Sequence, residues 1–325
     1  MILKSKAISS ELKSYRPISV TACLARLFER MVLARLQLFL EKNKLLMTNQ
    51  SGFRKCRSTK DNLIYLTQKA QQAFNNNENT HAIFFDVASA FDKVWHHGLA
   101  YKLSKIKVPF YLLRIIINFL ENRQFYVQIG DYKTTMRSIE CGVPQGAVLS
   151  PTLFSVFIND VPTRNTQNEK TILFADDIAH MTIYRKGQPI TNTVQKYLHE
   201  LEIWMNKWRL KLAPHKCVQI TFARGKINDD ESLNITLDNQ RLPYDPAPKF
   251  LGVVFDRKLN YSNHIEHLKE KLVDRMNLLK SLTYNNEWCL PKKIRIQLYK
   301  SLYRSVIEYP CFISASFNKG IIDKI

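Results

Sequence analysis

A chain of 325 residues with 45% hydrophobic and 11% aromatic residues can bury one large core or two modest ones, which excludes a disordered protein. Lys and Arg outnumber Asp and Glu by 48 to 28, and a net charge of +20 favours a polyanionic partner, because each phosphate neutralised releases condensed counterions. Nine glycines, and six scattered cysteines without a C-x-x-C pair, argue against a glycine-rich phosphate loop, a zinc ribbon and a disulfide framework. No apolar run reaches membrane-spanning length and the N-terminus is too polar for a secretory signal, so the expectation is an intracellular protein, nuclear or cytoplasmic, not secreted and without a membrane partner.

In chain order, residues 1–20 are basic and irregular. Leu24, Leu27, Phe28, Met31, Val32, Leu36, Phe39 and Leu40 then recur at helical spacing, which predicts a helix with that stripe inward and Arg26, Glu29 and Arg30 off it. NQSGFRKCRSTKDN (49–62) reads as a basic, turn-rich loop before a second amphipathic helix. HAIFFDV (81–87) is a short buried strand ending in an acid, and two helices follow, the second over 111–120. Residues 123–140 alternate around Gly130-Asp131, with Phe125, Val127 and Ile129 on one side, as in a hairpin. Ser150 and Pro151 read as N-cap and first-turn proline of a helix that buries Leu153, Phe154, Phe157, Ile158 and Val161.

TILFADDIAHMTIY (171–184) is a strand, two acids and a second strand. A helix over 191–210 carries Trp204 and Trp208, CVQITF (217–222) is another strand, and a turn falls at Asp238-Asn239. FLGVVFD (250–256) is expected to close the sheet. Beyond it come only helices, over 262–283 with Ile265, Leu268, Leu272, Met276 and Leu279 inward, and over 291–308 opened by Pro291. Strands interleaved with helices, then helices alone, predict an α+β body with a helical appendage.

The chemistry concentrates in three carboxylates. Asp86 ends one apolar strand, and Asp176-Asp177 stand between two others. On neighbouring strands these acids would share one edge of a sheet, where mutual repulsion and desolvation demand a cation. Mg²⁺ suits the site, since it takes one or two protein carboxylates and leaves its other positions to water and substrate phosphate. Two such ions about 3.5–4 Å apart would stabilise the attacking and leaving oxygens of an in-line phosphoryl displacement. The plainer reading of Asp-Asp is a turn between strands. Ile172, Leu173, Phe174 and Ile178 leave that turn no solvated face, and Asp86 repeats the arrangement, so the plain reading weakens. His96-His97 does not read as a metal pair, because adjacent residues on a helix point about 100° apart.

YRPIS (15–19), NQSGFRKCRSTKDN (49–62), FFDVASAFDKVWHHGL (84–99), GVPQGAVLSPTLFSVFINDV (142–161), FADD (174–177) and FLGVVFD (250–256) occur in that order across roughly four-fifths of the chain. Together they resemble the reverse transcriptase domain of non-LTR retrotransposons, in the jockey-like branch of LINE-type elements. The resemblance implies a right-hand polymerase, with fingers and an antiparallel palm over 1–256 and a helical thumb, truncated, over 257–325. It implies RNA-directed DNA synthesis on an RNA template, with dNTPs, a DNA primer or nicked target, two Mg²⁺ ions (a role Mn²⁺ also fills) and an element-encoded RNA-binding protein as partners. Relatives carry an N-terminal endonuclease domain, of which no trace is legible here.

By the same resemblance Asp86, Asp176 and Asp177 are the catalytic metal-binding acids, with Asp177 the softest ligand. Phe91 matches the aromatic gate that excludes a ribose 2′-OH, its alternative being a core aromatic. Gln145 matches the loop under the nucleotide and templating base, the alternative being an ordinary loop before a helix. Arg16 resembles the fingers arginine that meets the triphosphate, or is a solvated charge. Lys216 resembles the lysine that protonates pyrophosphate, or is a surface lysine. Arg54, Lys55 and Arg57 suit template phosphates. Phe250, Leu251 and Gly252 match the primer grip, or are simply core. Asp92 reads as a helix N-cap and His96 as the site of a structural hydrogen bond. Two departures stand out: Cys56 replaces the usual glycine of the G-F-R-K-G-R-S-T loop, and Ala88-Ser89 replaces a charged pair.

Overall fold

Four strands form an antiparallel sheet in the spatial order Val218–Phe222, Glu78–Phe85, Asp177–Arg185, Glu169–Phe174. The computed structural model describes residues 2–3, 15–16, 18–129, 131–225, 232–284 and 290–311. Side chains alternate across the sheet: Ile83 and Phe85 enter one core, Ala82 and Phe84 the other. Both faces are covered, which is why this strand reads as a continuous apolar run rather than a half-solvated alternation.

The first core is built with helices α1 (Cys23–Lys42), α3 (His96–Lys105), α4 (Phe110–Leu120), α5 (Ser150–Phe157) and α6 (Thr191–Lys207). The second is covered by α2 (Thr59–Asn75), through Leu63, Leu66, Ala70 and Phe74, together with Phe250, Phe255 and Tyr261. Phe250 stacks on Phe84 with ring centroids 4.8 Å apart.

Three sequence expectations change. In α1 the inward residues are Glu29, Val32, Leu36 and Leu40, while Leu24, Leu27, Phe28 and Met31 are exposed. The reason is a helix distant in sequence: Glu29 Oε2 accepts the backbone N–H groups of Val148 (2.6 Å) and Leu149 (3.2 Å) at the start of α5. Those donors have no partner within a helix and carry the positive end of its dipole, so a buried carboxylate is favoured there. Ser150 is accordingly the first residue of α5 and makes no cap, although Pro151 does stand in the first turn.

The third change is at the expected fifth strand. Lys249–Phe250 and Val253–Val254 pair only with each other. Leu251 and Gly252 both have positive φ (46° and 84°), so the run reverses in a tight hairpin turn before it can extend along the sheet. The turn at Asp238-Asn239 lies where expected, with φ of 49° and 60°, between Thr236–Leu237 and Gln240–Arg241. The hairpin within 123–140 also forms, pairing Gln124–Phe125 with Arg137–Ser138 and Gln128–Ile129 with Tyr132–Lys133.

Beyond the sheet, α7 (Ser262–Tyr284) buries Ile265, Leu272 and Leu279, and α8 (Lys292–Leu298) starts after Pro291 and continues through a π-helical stretch to Glu308. Two tyrosines tie this part to the body. Tyr261 OH lies 2.9 Å from Thr67 Oγ1, and Tyr309 OH donates to the Leu251 carbonyl at 2.6 Å. Among the described residues no helix is long and apolar enough to cross a membrane.

Candidate active site

The register of the sheet brings the acids together. Phe85 pairs with Ile178, so Asp86, one residue further, lies level with Asp177 on the adjacent strand. Phe174 pairs with Asp177, leaving Ala175 and Asp176 as the two central residues of a hairpin turn. Ala175 has φ +57°, a left-handed conformation normally given to glycine at the first central position of such turns. Burial, then repulsion from Asp176 and from Asp86, pushes the Asp177 carboxyl up to about 6. The three carboxylates thus form one electrostatic unit, crowded enough to hold a proton that a lone surface aspartate would lose.

Asp86 is only half-buried and faces two residues of the neighbouring strand's approach. Lys216 Nζ stands 3.3 Å from Asp86 Oδ2, and the Asp86 N–H points to Cys217 Sγ at 3.4 Å. Burial, above all, pushes the Cys217 thiol up to about 11, so it stays a neutral packing group. The Lys216 side chain is itself exposed and its pair with Asp86 is a solvent-screened contact.

A second constellation surrounds Gln145. Its Nε2 donates to Asp92 Oδ1 at 2.7 Å, and its carbonyl accepts from Ser19 N–H at 2.7 Å. Asp92 therefore orients Gln145 rather than capping a helix. Gly142 and Gly146 both have positive φ, and a Cβ on them would approach the Asp92 and Ser19 carbonyl oxygens to 2.8 Å each. His96 Nε2 bonds the Gly142 carbonyl at 2.8 Å, the structural hydrogen bond expected of it. Phe91 stacks on buried Phe154 (4.9 Å between centroids) and meets Phe53 edge-on at 6.2 Å. Since Gly52 abuts Ala175, the chain of contacts runs unbroken from the acid turn through Gly52-Phe53 to Phe91, Asp92 and Gln145.

The basic loop is divided. Lys55 and Arg57 are exposed, whereas Arg54 turns inward, pairing with Glu41 through Nε (3.1 Å) and Nη2 (2.9 Å) and donating to the Met47 carbonyl. The Arg54 guanidinium beside Glu41 holds that carboxyl below its usual range. Cys56 has φ +58°, the conformation that a glycine would adopt without strain. Phe250 is core, and the Leu251-Gly252 turn is the part of that segment which reaches the surface. Arg16 lies in the two-residue strand Tyr15–Arg16, and its side chain falls outside the described residues.

Residues 2–255 match the family described as reverse transcriptase (RNA-dependent DNA polymerase). The chain belongs to the reverse transcriptase family. It is 33% identical to the RNA-directed DNA polymerase from mobile element jockey of Drosophila melanogaster, over 100% of this chain and 36% of that protein. It is 32% identical to the probable RNA-directed DNA polymerase from transposon BS of the same species, over 88% of this chain and 31% of that protein. The chain thus spans about a third of the length of these curated relatives. In fold it is similar to apo telomerase from Candida tropicalis, at 13% identity and a TM-score of 0.53, covering 89% of this chain and 52% of that one. The fold is the right-hand polymerase that the motifs implied.

Reverse transcriptases generally use divalent metal ions. Among the described residues no three His, Cys, Asp or Glu side chains stand close enough to form a preassembled cage. The donor chemistry fits a divalent cation: three hard carboxylates share one edge, where burial first and then their mutual repulsion raise the Asp177 pKa. Sequence reasoning missed Glu29, which caps α5 next to the Gln145 loop, and Gln50, which bonds the acid turn. For Gln50 the legible signal was the small pair Ser51-Gly52 after an amide, a sign of close backbone approach inside a loop otherwise read only for its charge.

Proposed function

We propose that this reverse transcriptase domain synthesises DNA on an RNA template, joining dNTPs to a primer 3′-hydroxyl, with Asp86, Asp176 and Asp177 as its catalytic carboxylates. The observation that carries the reading is the level placement of Asp86 beside the Asp176-Asp177 turn, where burial first and then the two neighbouring acids push Asp177 up to about 6. Asp86 and Asp176 are the pair that would hold two Mg²⁺ ions, with Asp177 as the outer member. Bound there, the ions supply positive charge for the triphosphate and lower the pKa of the attacking hydroxyl. The primer hydroxyl loses its proton to solvent as its oxygen bonds the α-phosphate, the bond from that phosphorus to the bridging oxygen breaks, and pyrophosphate leaves, taking a proton from Lys216 Nζ once the triphosphate has drawn that amine from Asp86.

Around that centre Phe91, held on Phe154, excludes a ribose 2′-OH, and Gln145, fixed by Asp92, supports the nucleotide and templating base. Arg16 meets the triphosphate. Lys55 and Arg57 are free to meet template phosphates, and Arg54 shapes their loop from within. The Leu251-Gly252 turn, anchored by Phe250, grips the primer, and the helices after residue 257 act as a thumb. The primer that suits this reading is nicked chromosomal DNA, and an element-encoded RNA-binding protein is a further partner.

The test is extension of a DNA primer on an RNA template with dNTPs and Mg²⁺, beside Asp176→Asn. Extension by the wild type with a loss of about 10²–10³-fold in the variant, of the order seen when transition-state charge stabilisation is removed, is expected. Extension that survives the substitution would overturn the assignment, and a wild type that binds RNA but extends nothing would make the domain a polymerase-fold scaffold.

A further inference from the structure

The turn that carries Asp176 is not self-supporting. Ala175 stands at φ +57° without the freedom of glycine, and the ladder of the hairpin ends at Phe174 and Asp177. A side chain from outside the hairpin meets its left-handed residue. Gln50, only 1% exposed, accepts the Ala175 N–H through Oε1 at 2.9 Å and donates from Nε2 to the Ala175 carbonyl at 3.3 Å. The same Oε1 accepts the N–H of Gly52 at 2.7 Å. One primary amide thus holds both polar groups of the left-handed residue. A carboxamide is the group for this task, since it presents an acceptor and a donor on one planar end.

Gln50 is in turn fixed by its own segment. Leu173 N–H donates to the Asn49 carbonyl and Ser51 N–H to the Leu173 carbonyl, both at 2.9 Å, so residues 49–51 run as a short parallel rail along the sheet's edge strand. Asn49 Nδ2 bonds the Thr171 carbonyl and Asn62 Nδ2 the Leu173 carbonyl, each at 2.8 Å, and Ser51 Oγ bonds Asn62 Oδ1 at 2.8 Å. The rail then passes so close to the turn that a Cβ on Gly52 would lie 2.2 Å from Ala175 N.

We infer that Gln50 is a positioning residue for nucleotidyl transfer: it holds Ala175 left-handed and thereby fixes where Asp176 stands, touching no substrate itself. The inference rests on Asp176 being a catalytic acid. Without the amide, Ala175 relaxes towards negative φ, the turn changes type and the Asp176 carboxylate moves. A displacement of about 1 Å at a reacting centre can cost about a hundredfold in rate. Because the acid moves and the nucleotide contacts do not, the loss falls on kcat and on the Mg²⁺ concentration needed for half-maximal rate, with the dNTP KM little changed.

A double-mutant cycle separates this from mere packing. Glycine adopts φ +57° without help, so Ala175→Gly makes the clamp redundant. Gln50→Ala is expected to lower kcat roughly ten- to a hundredfold in the wild-type background and less than about threefold in the Ala175→Gly background. Equal losses in the two backgrounds, or no loss in either, would overturn the inference. Circular dichroism and thermal melting confirm folding. If Gln50→Ala does not fold, the near-isosteric Gln50→Glu keeps the two accepted bonds, loses the donated one, and is read through the same cycle by the same criterion. Asp176→Asn, run in parallel, separates the two ideas. Activity retained there sinks the site, whereas its loss together with uncoupled Gln50 and Ala175 sinks the clamp alone.

Discussion

Ala175 and Cys56 adopt nearly the same left-handed backbone, φ +57° and +58°, 119 residues apart in sequence yet joined through the loop that carries Gln50 and Gly52, and they are supported in opposite ways. Ala175 is buried, its N–H and carbonyl both bonded by Gln50, and Gly52 presses on its backbone. Cys56 is exposed at the third position of a turn closed by the Arg57 N–H on the Arg54 carbonyl at 3.3 Å. The strained residue next to the acids is over-determined by its surroundings, and the strained residue on the basic loop is simply tolerated. Strain that persists at functional sites does so because neighbouring structure holds it there.

The harshest way to break the clamped side is Gly52→Ala. The new Cβ would lie 2.2 Å from Ala175 N and 3.0 Å from Ala175 Cα, both backbone atoms that cannot rotate away. Either the rail leaves the edge strand or the acid turn shifts. Stability is expected to fall by about 2–4 kcal/mol, in the range of severe overpacking, and primer extension to be lost beyond recovery by added Mg²⁺. Chemical denaturation and the extension assay read the two effects separately. A variant with wild-type stability and activity would mean that Gly52 and Ala175 are further apart than described.

Acid attacks the sheet that carries the turn. His81 and His180 are buried in the two central strands, held down to about 4 and about 3 chiefly by burial. His81 Nε2 bonds Gln219 Oε1 at 3.0 Å, and His180 lies between Thr171 and Thr182 hydroxyls, stacked on Tyr197. Glu169, 3.7 Å from His180, would favour its charging, but burial outweighs it. Folded pKa values below the unfolded value of about 6.5 mean stability that is full above that pH and lost as pH falls towards the folded values. Full protonation costs on the order of 3 kcal/mol at His81 and on the order of 5 kcal/mol at His180. Melting temperature should therefore drop steeply between about pH 6.5 and pH 4. His81→Gln should flatten the curve, and an unchanged slope would rule the histidine out as its source.

The contrast also marks what the sequence made legible. The strands ending at Asp86 and turning at Asp176-Asp177 could be read because burial on both faces leaves an acid as an anomaly in an apolar run. The hairpin at Asp238-Asn239 and the helix opened by Pro291 could be read because their local backbone dictates the residue type. What stayed hidden depends on partners distant in sequence. Glu29 looks like a solvated charge until Val148 and Leu149, about 120 residues on, supply the donors it caps. Gln50 looks like loop polarity until Ala175, 125 residues on, turns left-handed against it. Arg54 shows the converse: its charge suggested a ligand, and Glu41 already occupies it.

The gentlest probe is Cys56→Gly. A left-handed L-residue costs about 1–2 kcal/mol relative to glycine in that conformation, and glycine returns about half of that in unfolded-chain entropy. The net expectation is a gain of up to about 1 kcal/mol, or about 1–2 °C in Tm for a chain of this size. What sharpens the comparison is the cross with Gln50→Ala. Cys56 is exposed and its turn is closed by backbone alone, so relief of its strain has no route to Asp176. Cys56→Gly should add its small stability gain independently and leave the kcat loss of Gln50→Ala untouched, whereas Ala175→Gly should recover most of it. If Cys56→Gly recovered activity as well, general loosening of the loop, and not the local conformation of the acid turn, would be what Gln50 controls.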